Sequence, residues 1–146
     1  MEYFSASKLI QTQLLANLAE SATPCHVQAA AGWKQVAELL QKSPACFVWH
    51  QADKVLSGDK SNRNHGKNQI VDQIWSVVVS VRNVADISGA AAQADADLII
   101  KDVLKLQGIK LDADHGHLYR VQSQYMTGYI NGYGLTPFAF STRIFT

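Results

Sequence analysis

The chain carries almost no net charge, 13 Lys and Arg against 12 Asp and Glu, or +1 at pH 7. That excludes a bulk electrostatic pull toward nucleic acid or an anionic membrane, so any basic function must come from local clustering. Long apolar runs are also missing, none approaching the ~20 residues that a bilayer crossing needs. The start of the chain shows no basic region followed by an apolar block. The expectation is therefore no membrane partner and a cytosolic origin. There are only two cysteines, Cys25 and Cys46. They are too few for a disulfide framework and too far apart for a metal-type pair, and both are read as reduced. Neither GxGxxG nor GxxxxGK[ST] occurs, so no nucleotide-binding loop and no cofactor are expected. Internal repeats and an interdomain linker are absent too. With 146 residues, 47% hydrophobic and 17% charged, the chain suits one globular domain spanning 1–146 with a single core.

What the chain does have is a Val-rich centre. Gln69 to Val84 contains neither Gly nor Pro and has the composition of a strand. With period-two alternation, Val71, Trp75, Val77, Val79 and Val81 share one face and predict a core. The other face carries Ile70, Asp72, Ile74, Ser76, Val78, Ser80 and Arg82, only half suited to water. Such a long strand with one mixed face predicts a curved sheet that meets something.

Around it the punctuation is regular. Ser5 or Ser7 can cap a first helix with an Ile10, Leu14, Leu18 stripe flanked by Leu9 and Leu15, ending before Pro24. Residues 25–28 read as a link or brief strand. Trp33, Val36, Ala37 and Leu40 fall on one face of a second helix, which Ser43-Pro44 ends. Residues 45–50 then read as a buried strand. Ser88 to Gln107 reads as the strongest helix, with Ala92, Ala96, Ile99, Ile100, Val103, Leu104 and Leu106 on its apolar side. Asp97 and Lys101 form an i, i+4 pair on the other side. Gly108 fits a left-handed C′ position with Ile109 folding back on Leu104. His117 to Tyr125 is strand-like, Asn131-Gly132 signals a hairpin turn, and Leu135 to Phe145 returns with Phe138, Phe140 and Ile144 on a core face.

Three stretches invite a chemical reading. Ser57 to Asn68 has no apolar residue, two glycines and the cations Lys60, Arg63 and Lys67, with His65 as a fourth when protonated. It cannot bury enough surface to offset its ordering entropy, which predicts a mobile polar loop at about 52–68. Asp112 to His117, with His115 and His117, has metal-ligand chemistry but no helix to fix the spacing. A polar turn before a strand needs only Asp and Gly, which is the preferred reading, and replacing both histidines with Ala is expected to leave folding and assembly nearly intact. Cys25-His26 suggests a thiol nucleophile, although sequence neighbours rarely align for that chemistry. Tyr125, Tyr129 and Tyr133 around the hairpin tip form an aromatic interface candidate.

The order of elements resembles a known family. An amphipathic first helix, a link, a second helix, Ser43-Pro44 and the strand Cys46–Trp49 come first. A polar loop then leads to the long strand Trp75–Val84. A helix over Ala90–Gln107 ends in Leu106-Gln107-Gly108, and a hairpin finishes with Phe138-Ala139-Phe140-Ser141-Thr142. This is similar to the tail terminator (tail completion, minor tail) proteins of long-tailed bacteriophages and prophages.

The resemblance implies an α/β fold of α+β type, a mainly antiparallel curved sheet with helices packed on one face. It implies a structural virion protein and not an enzyme, with no catalytic, cofactor-binding or metal residue to carry over. Such a protein forms a hexameric ring at the head-proximal end of the tail, assembled in the host cytoplasm. It caps the tail tube, ends tube polymerisation and gives head–tail connector proteins a docking surface. Its partners are other copies of itself, the tail tube protein and the connectors, while DNA passes through the lumen without specific binding. Asp59, Lys60, Arg63, Lys67, Tyr129 and Tyr133 are the expected interface residues. Two alternatives stand beside this reading: a small nucleic-acid-binding or regulatory module using the basic loop 57–68, and a metal-dependent hydrolase using His115 and His117.

Overall fold

The Val-rich stretch is a strand, and it lies inside a sheet. The computed structural model describes residues 2–56, 69–82 and 90–145. In chain order the elements are α1 (Ala6–Glu20), β1 (His26–Ala29), α2 (Trp33–Glu38), β2 (Ala45–Val55), β3 (Ile70–Arg82), α3 (Ala90–Leu104), β4 (Tyr119–Val121), β5 (Gly128–Ile130) and β6 (Tyr133–Phe145). A 3-10 turn, Leu40–Lys42, follows α2. The six strands run in the order β1-β2-β3-β6-β4, with β5 also pairing β6. β1 and β2 are parallel, and every other pair is antiparallel.

β3 is hydrogen-bonded along both sides. Its register runs unbroken against β6 from Ile70↔Phe145 to Arg82↔Tyr133. Against β2 it shifts once, between His50 and Ala52, as a bulge does when one extra residue enters a strand. The odd residues take the phase that alternation predicts. Val71, Trp75, Val77, Val79 and Val81 are all buried, and beside them on the same face lie Cys46 and Val48 of β2 and Phe138 and Phe140 of β6.

Two helices cover that face. Ile10, Leu14 and Leu18 of α1 and Ala96, Ile99 and Val103 of α3 join the same cluster, together with Ala6, Leu106 and Leu118. α1 begins where Ser5 predicts, but the Ser5 side chain makes no capping bond. The surface of α3 differs from its sequence reading at one position that matters. Asp102 is buried at 1% exposure, between the two helices. Ser21 Oγ donates to Asp102 Oδ2 at 2.6 Å, and the Lys105 ammonium lies 3.2 Å from Oδ1 without the alignment of a hydrogen bond. Asn17 Nδ2 donates to the Asp102 carbonyl at 3.1 Å. A carboxylate left bare in such a place costs several kcal/mol, so Ser21 and Lys105 are what make its burial tolerable. The ion pair at the end of α3 therefore joins Asp102 to Lys105 just beyond it, while Asp97 and Lys101 stay exposed.

The end of α3 shows a second difference. Gly108 has φ +82°, the left-handed conformation expected of it. Its N–H, however, bonds the Leu118 carbonyl at 2.7 Å, and Leu118 N–H returns a bond of 2.7 Å to the Ile109 carbonyl. The helix thus stops on a tertiary contact and not on a self-closing Schellman ending.

α2 lies on the opposite face of the sheet. Val36 and Leu40 pack there with Ala45, Phe47, Trp49, Val78 and Leu135, and Trp33 packs against them. Ala37, assigned to the same stripe by spacing, is exposed because the α-helix gives way at Leu39 to the tighter 3-10 turn. The final hairpin forms as expected between β5 and β6. Asn131 and Gly132 both take positive φ, +50° and +82°, as a two-residue I′ turn requires. The region from His117 to Tyr125 contributes only the short β4, which pairs β6 farther along, at Ser141, Phe140 and Ala139.

Trp75 is 1% exposed in the main cluster, and its indole N–H points to Gln73 Oε1 at 3.4 Å. Trp75→Ala is expected to lower unfolding free energy by about 3–5 kcal/mol, the usual cost of a large aromatic truncation in a packed core. Urea denaturation measures this, and an unchanged midpoint would show that Trp75 does not carry the core.

Candidate assembly surface

The even face of β3 is divided into two halves by what covers it. Toward Ser80 it is filled by an aromatic group in which the Trp33 and Tyr125 rings stack at 5.0 Å and Trp49 meets both edge-on. Val78 is fully buried beneath. The polar members of this half are paired: Ser80 with Ser43, and Ser76, whose hydroxyl donates to Gln51 Oε1 at 2.6 Å. Toward Ile70 none of the helices among the described residues covers this face, and Ile74 remains half-buried. Lys54, Asp72 and Arg143 lie side by side across the three central strands. Asp72 accepts from Arg143 Nε at 2.9 Å and from Nη2 at 3.3 Å, and this carboxylate pushes the guanidinium pKa up from its ordinary value.

A groove of about 440 Å³ opens here, lined by Asp72, His117, Tyr119, Val121, Ser141 and Arg143 along with Gly116. Tyr119 is 56% exposed at its side. The arrangement offers the half-buried Ile74 and Val121, a tyrosine ring and a fixed ion pair. Those groups suit contact with another protein surface, where aromatic and Arg anchors dominate binding energy. Sequence reasoning flagged the mixed face of β3, but the part played by Tyr119 and Arg143 depends on cross-strand register and carries no local signal.

The residues picked from sequence are dispersed. Asp59, Lys60, Arg63 and Lys67 lie outside the described residues, as does the rest of the Ser57–Asn68 stretch. Tyr129 is half exposed on β5, its hydroxyl accepting from Gln93 Nε2 at 3.3 Å. Tyr133 and Tyr125 instead pack into the aromatic half of the even face, so the three tyrosines do not form one surface patch. Cys25 reaches His26 only through the backbone, with its Sγ 3.4 Å from the His26 carbonyl oxygen.

Asp112 to His117 is a side-chain-pinned turn. Asp112 Oδ1 accepts from the N–H groups of Asp114 and His115, both at 2.9 Å, and from His115 Nδ1–H at 2.6 Å. His115 is buried against Ile144 of β6, whereas His117 is exposed and bridges Lys110. The two imidazoles thus have different surroundings. Among the described residues no three His, Cys, Asp or Glu side chains are disposed to hold a metal ion. The burial of His115 and its bond to Asp112 speak against the expectation that both histidines are dispensable: removing this ring should cost stability, whereas removing His117 should not.

The hydrogen bond from His115 is the largest cause holding the Asp112 carboxyl below the usual carboxylate range. A depressed folded-state pKa contributes stability that is present above the unfolded value, near 4, and lost as pH falls through the folded value. Asp112→Asn should therefore destabilise the protein at pH 7 and make little difference at pH 2–3. Thermal melts of both proteins across that range test this, and a destabilisation that persisted undiminished in acid would overturn it.

Comparison with known proteins places this geometry. No curated protein matches the sequence. Among solved structures, a chain from the virion of a native gene transfer agent particle is similar at a TM-score of 0.48 and 15% identity. The likeness covers 99% of this chain and 100% of that one. The family model described as phage tail terminator protein matches residues 1–146. The match extends over every element described above, and the chain belongs to the phage tail terminator family, a family of structural tail proteins.

Proposed function

We propose that this protein caps the phage tail tube as one subunit of a hexameric ring, ending tube polymerisation and presenting its other side to head–tail connector proteins. Family membership supports a structural role in the tail. The observation that carries the finer reading is the unequal cover of the sheet. One face is sealed by α1 and α3, while half of the other leaves Ile74, Tyr119, Val121 and the Asp72–Arg143 pair open. In this reading a neighbouring subunit covers that half-face. The Asp72–Arg143 pair fixes the orientation of contact, since paired charges at an interface act more on register than on raw affinity.

The charged residues Asp59, Lys60, Arg63 and Lys67 and the exposed Tyr129 supply further contacts with a neighbouring subunit or the tube. Cations from successive subunits come close together in a ring, and they stay together only against carboxylates or a polyanion, because like charges repel within the ~8 Å Debye length. DNA passing through the lumen is such a polyanion. The near-zero net charge argues against a strong sequence-independent grip on it. The protein then belongs at the head-proximal end of the tail.

Tyr119→Asp tests the assignment, with Leu15→Ser on the exposed side of α1 as the control. Both positions are solvent-exposed in the subunit, so circular dichroism and melting temperature should stay within experimental error of the parent. Tyr119→Asp should weaken ring formation by roughly tenfold or more, the scale of an anchor residue worth at least ~1.4 kcal/mol. Light scattering over a concentration series and measured tail-tube lengths give the readout. Rings and tube lengths identical to the parent would remove the half-face from the interface. A shortened 58–66 stretch tested in parallel should also weaken rings while sparing the subunit fold.

A further inference from the structure

The two cysteines are twenty-one positions apart in sequence and adjacent in space. β1 pairs β2 in parallel with Val27 opposite Cys46, which sets Cys25 diagonally across from Cys46 at the sheet edge. Their sulfurs are 3.9 Å apart, and both thiols are free. A disulfide needs sulfurs at about 2.05 Å, and rotation about the Cα–Cβ bonds together with a small shift of the chain entering β1 can supply the difference. The shift falls on Pro24 and Cys25, which lie between two anchors, the Thr23 N–H bond to the Leu18 carbonyl at 3.0 Å and the His26 N–H bond to the Pro44 carbonyl at 2.9 Å.

We propose that Cys25 and Cys46 are a thiol–disulfide exchange pair, Cys25 reacting with a small-molecule disulfide such as oxidised glutathione and Cys46 resolving the adduct.

The environments of the two sulfurs divide the roles. Cys25 is half-buried and reachable from solvent, whereas Cys46 is completely buried. The thiol of Cys46 donates toward Cys25 and lowers the Cys25 pKa, against the opposing effect of partial burial. Cys46 is held well above its ordinary value, first by that same hydrogen bond and then by burial. The Asp102 carboxylate nearby disfavours either thiolate and opposes this activation without reversing it at Cys25. Reactivity follows thiolate character and access, which places the first attack at Cys25.

In the first step the Cys25 thiolate bonds to one glutathione sulfur, the S–S bond of the reagent breaks, and one glutathione thiolate leaves and takes up the proton that Cys25 lost. In the second step Cys46 gives up its proton and its sulfur bonds to Cys25 Sγ. The mixed disulfide breaks and the second glutathione leaves with that proton. The protein dithiol is oxidised by two electrons and the reagent is reduced to two thiols. The product closes a loop from 25 to 46 that contains β1 and α2. It ties the edge strand to β2 covalently, and by shrinking the unfolded ensemble it should raise the melting temperature.

The test is to incubate the purified full-length protein with excess oxidised glutathione under native conditions and to follow intact mass. The parent should lose two hydrogens and form a Cys25–Cys46 linked peptide, its melting temperature should rise, and dithiothreitol should reverse both changes. Cys46→Ser should stop at a stable glutathione adduct on Cys25. Cys25→Ser should stay unmodified while folded and react only in urea, which also shows that the remaining thiol is chemically competent. Three results would overturn the proposal: a parent that stays reduced, a parent that stops as a Cys25 adduct without closing, or a folded Cys25→Ser variant that reacts at Cys46 at the parent's rate. Circular dichroism of each variant establishes that these readings refer to folded protein.

Discussion

Register on β3 is the constraint from which the other contacts follow. A strand paired on both sides cannot slip by one residue without exchanging its two faces. On β3 that exchange would put Asp72, Ser76 and Ser80 beneath the helices and expose Trp75 and four valines. The unbroken β6 pairing and the β2 pairing lock the same phase independently. Once the odd face is fixed inward, α1 and α3 have a single apolar surface to cover, and β6 must present Phe138 and Phe140 to the same side. The bulge at Gln51 lets β2 keep company with β3 to the distal end while placing the Gln51 amide against Ser76.

The even face shows what that choice leaves over. Its polar serines are tolerable near α2 because each has a partner, so the aromatic group can close above them without stranding a hydroxyl. Farther along, Asp72 takes its partner from the adjacent strand, and among the described residues no helix lies above it. Antiparallel sheets commonly leave one face to water. Here the bare half combines a half-buried Ile74 with an exposed tyrosine and a bidentate ion pair, which makes it better suited to a protein neighbour than to solvent alone. In the proposed ring, the half of this face toward Ile70 is the surface left for a neighbouring subunit.

What was legible in the sequence follows the range of the forces involved. The phase of β3, the α1 stripe and the Asn131-Gly132 turn are set by residues within a few positions of one another, and local periodicity reads them correctly. Ala37 is exposed where the α-helix gives way early to a 3-10 turn, a local effect that spacing alone does not resolve. Nothing local singles out Asp102, because its partners, Ser21 and Asn17, lie some eighty positions earlier. His115 looked dispensable because the strand that buries it, β6, comes later in the chain. The groove escaped for the same reason, since Asp72, Tyr119 and Arg143 meet only through strand order. Resemblance to a family supplied the functional class that no local motif carries.

The buried Asp102 also connects parts that otherwise look independent. Its bonds to Ser21 and Asn17 hold the last turn of α1 against α3. Non-directional apolar packing would let two helices slide over one another, whereas a desolvated carboxylate with fixed donors penalises any offset that leaves it unpaired. The chain leaves α1 at that point and reaches Cys25 four residues after Ser21. The polar clamp therefore sets where the chain enters β1, and with it the position of Cys25 over Cys46. One buried charge at the junction of α1 and α3 thus bears on the helix pair, the entry to the edge strand and the cysteine pair together.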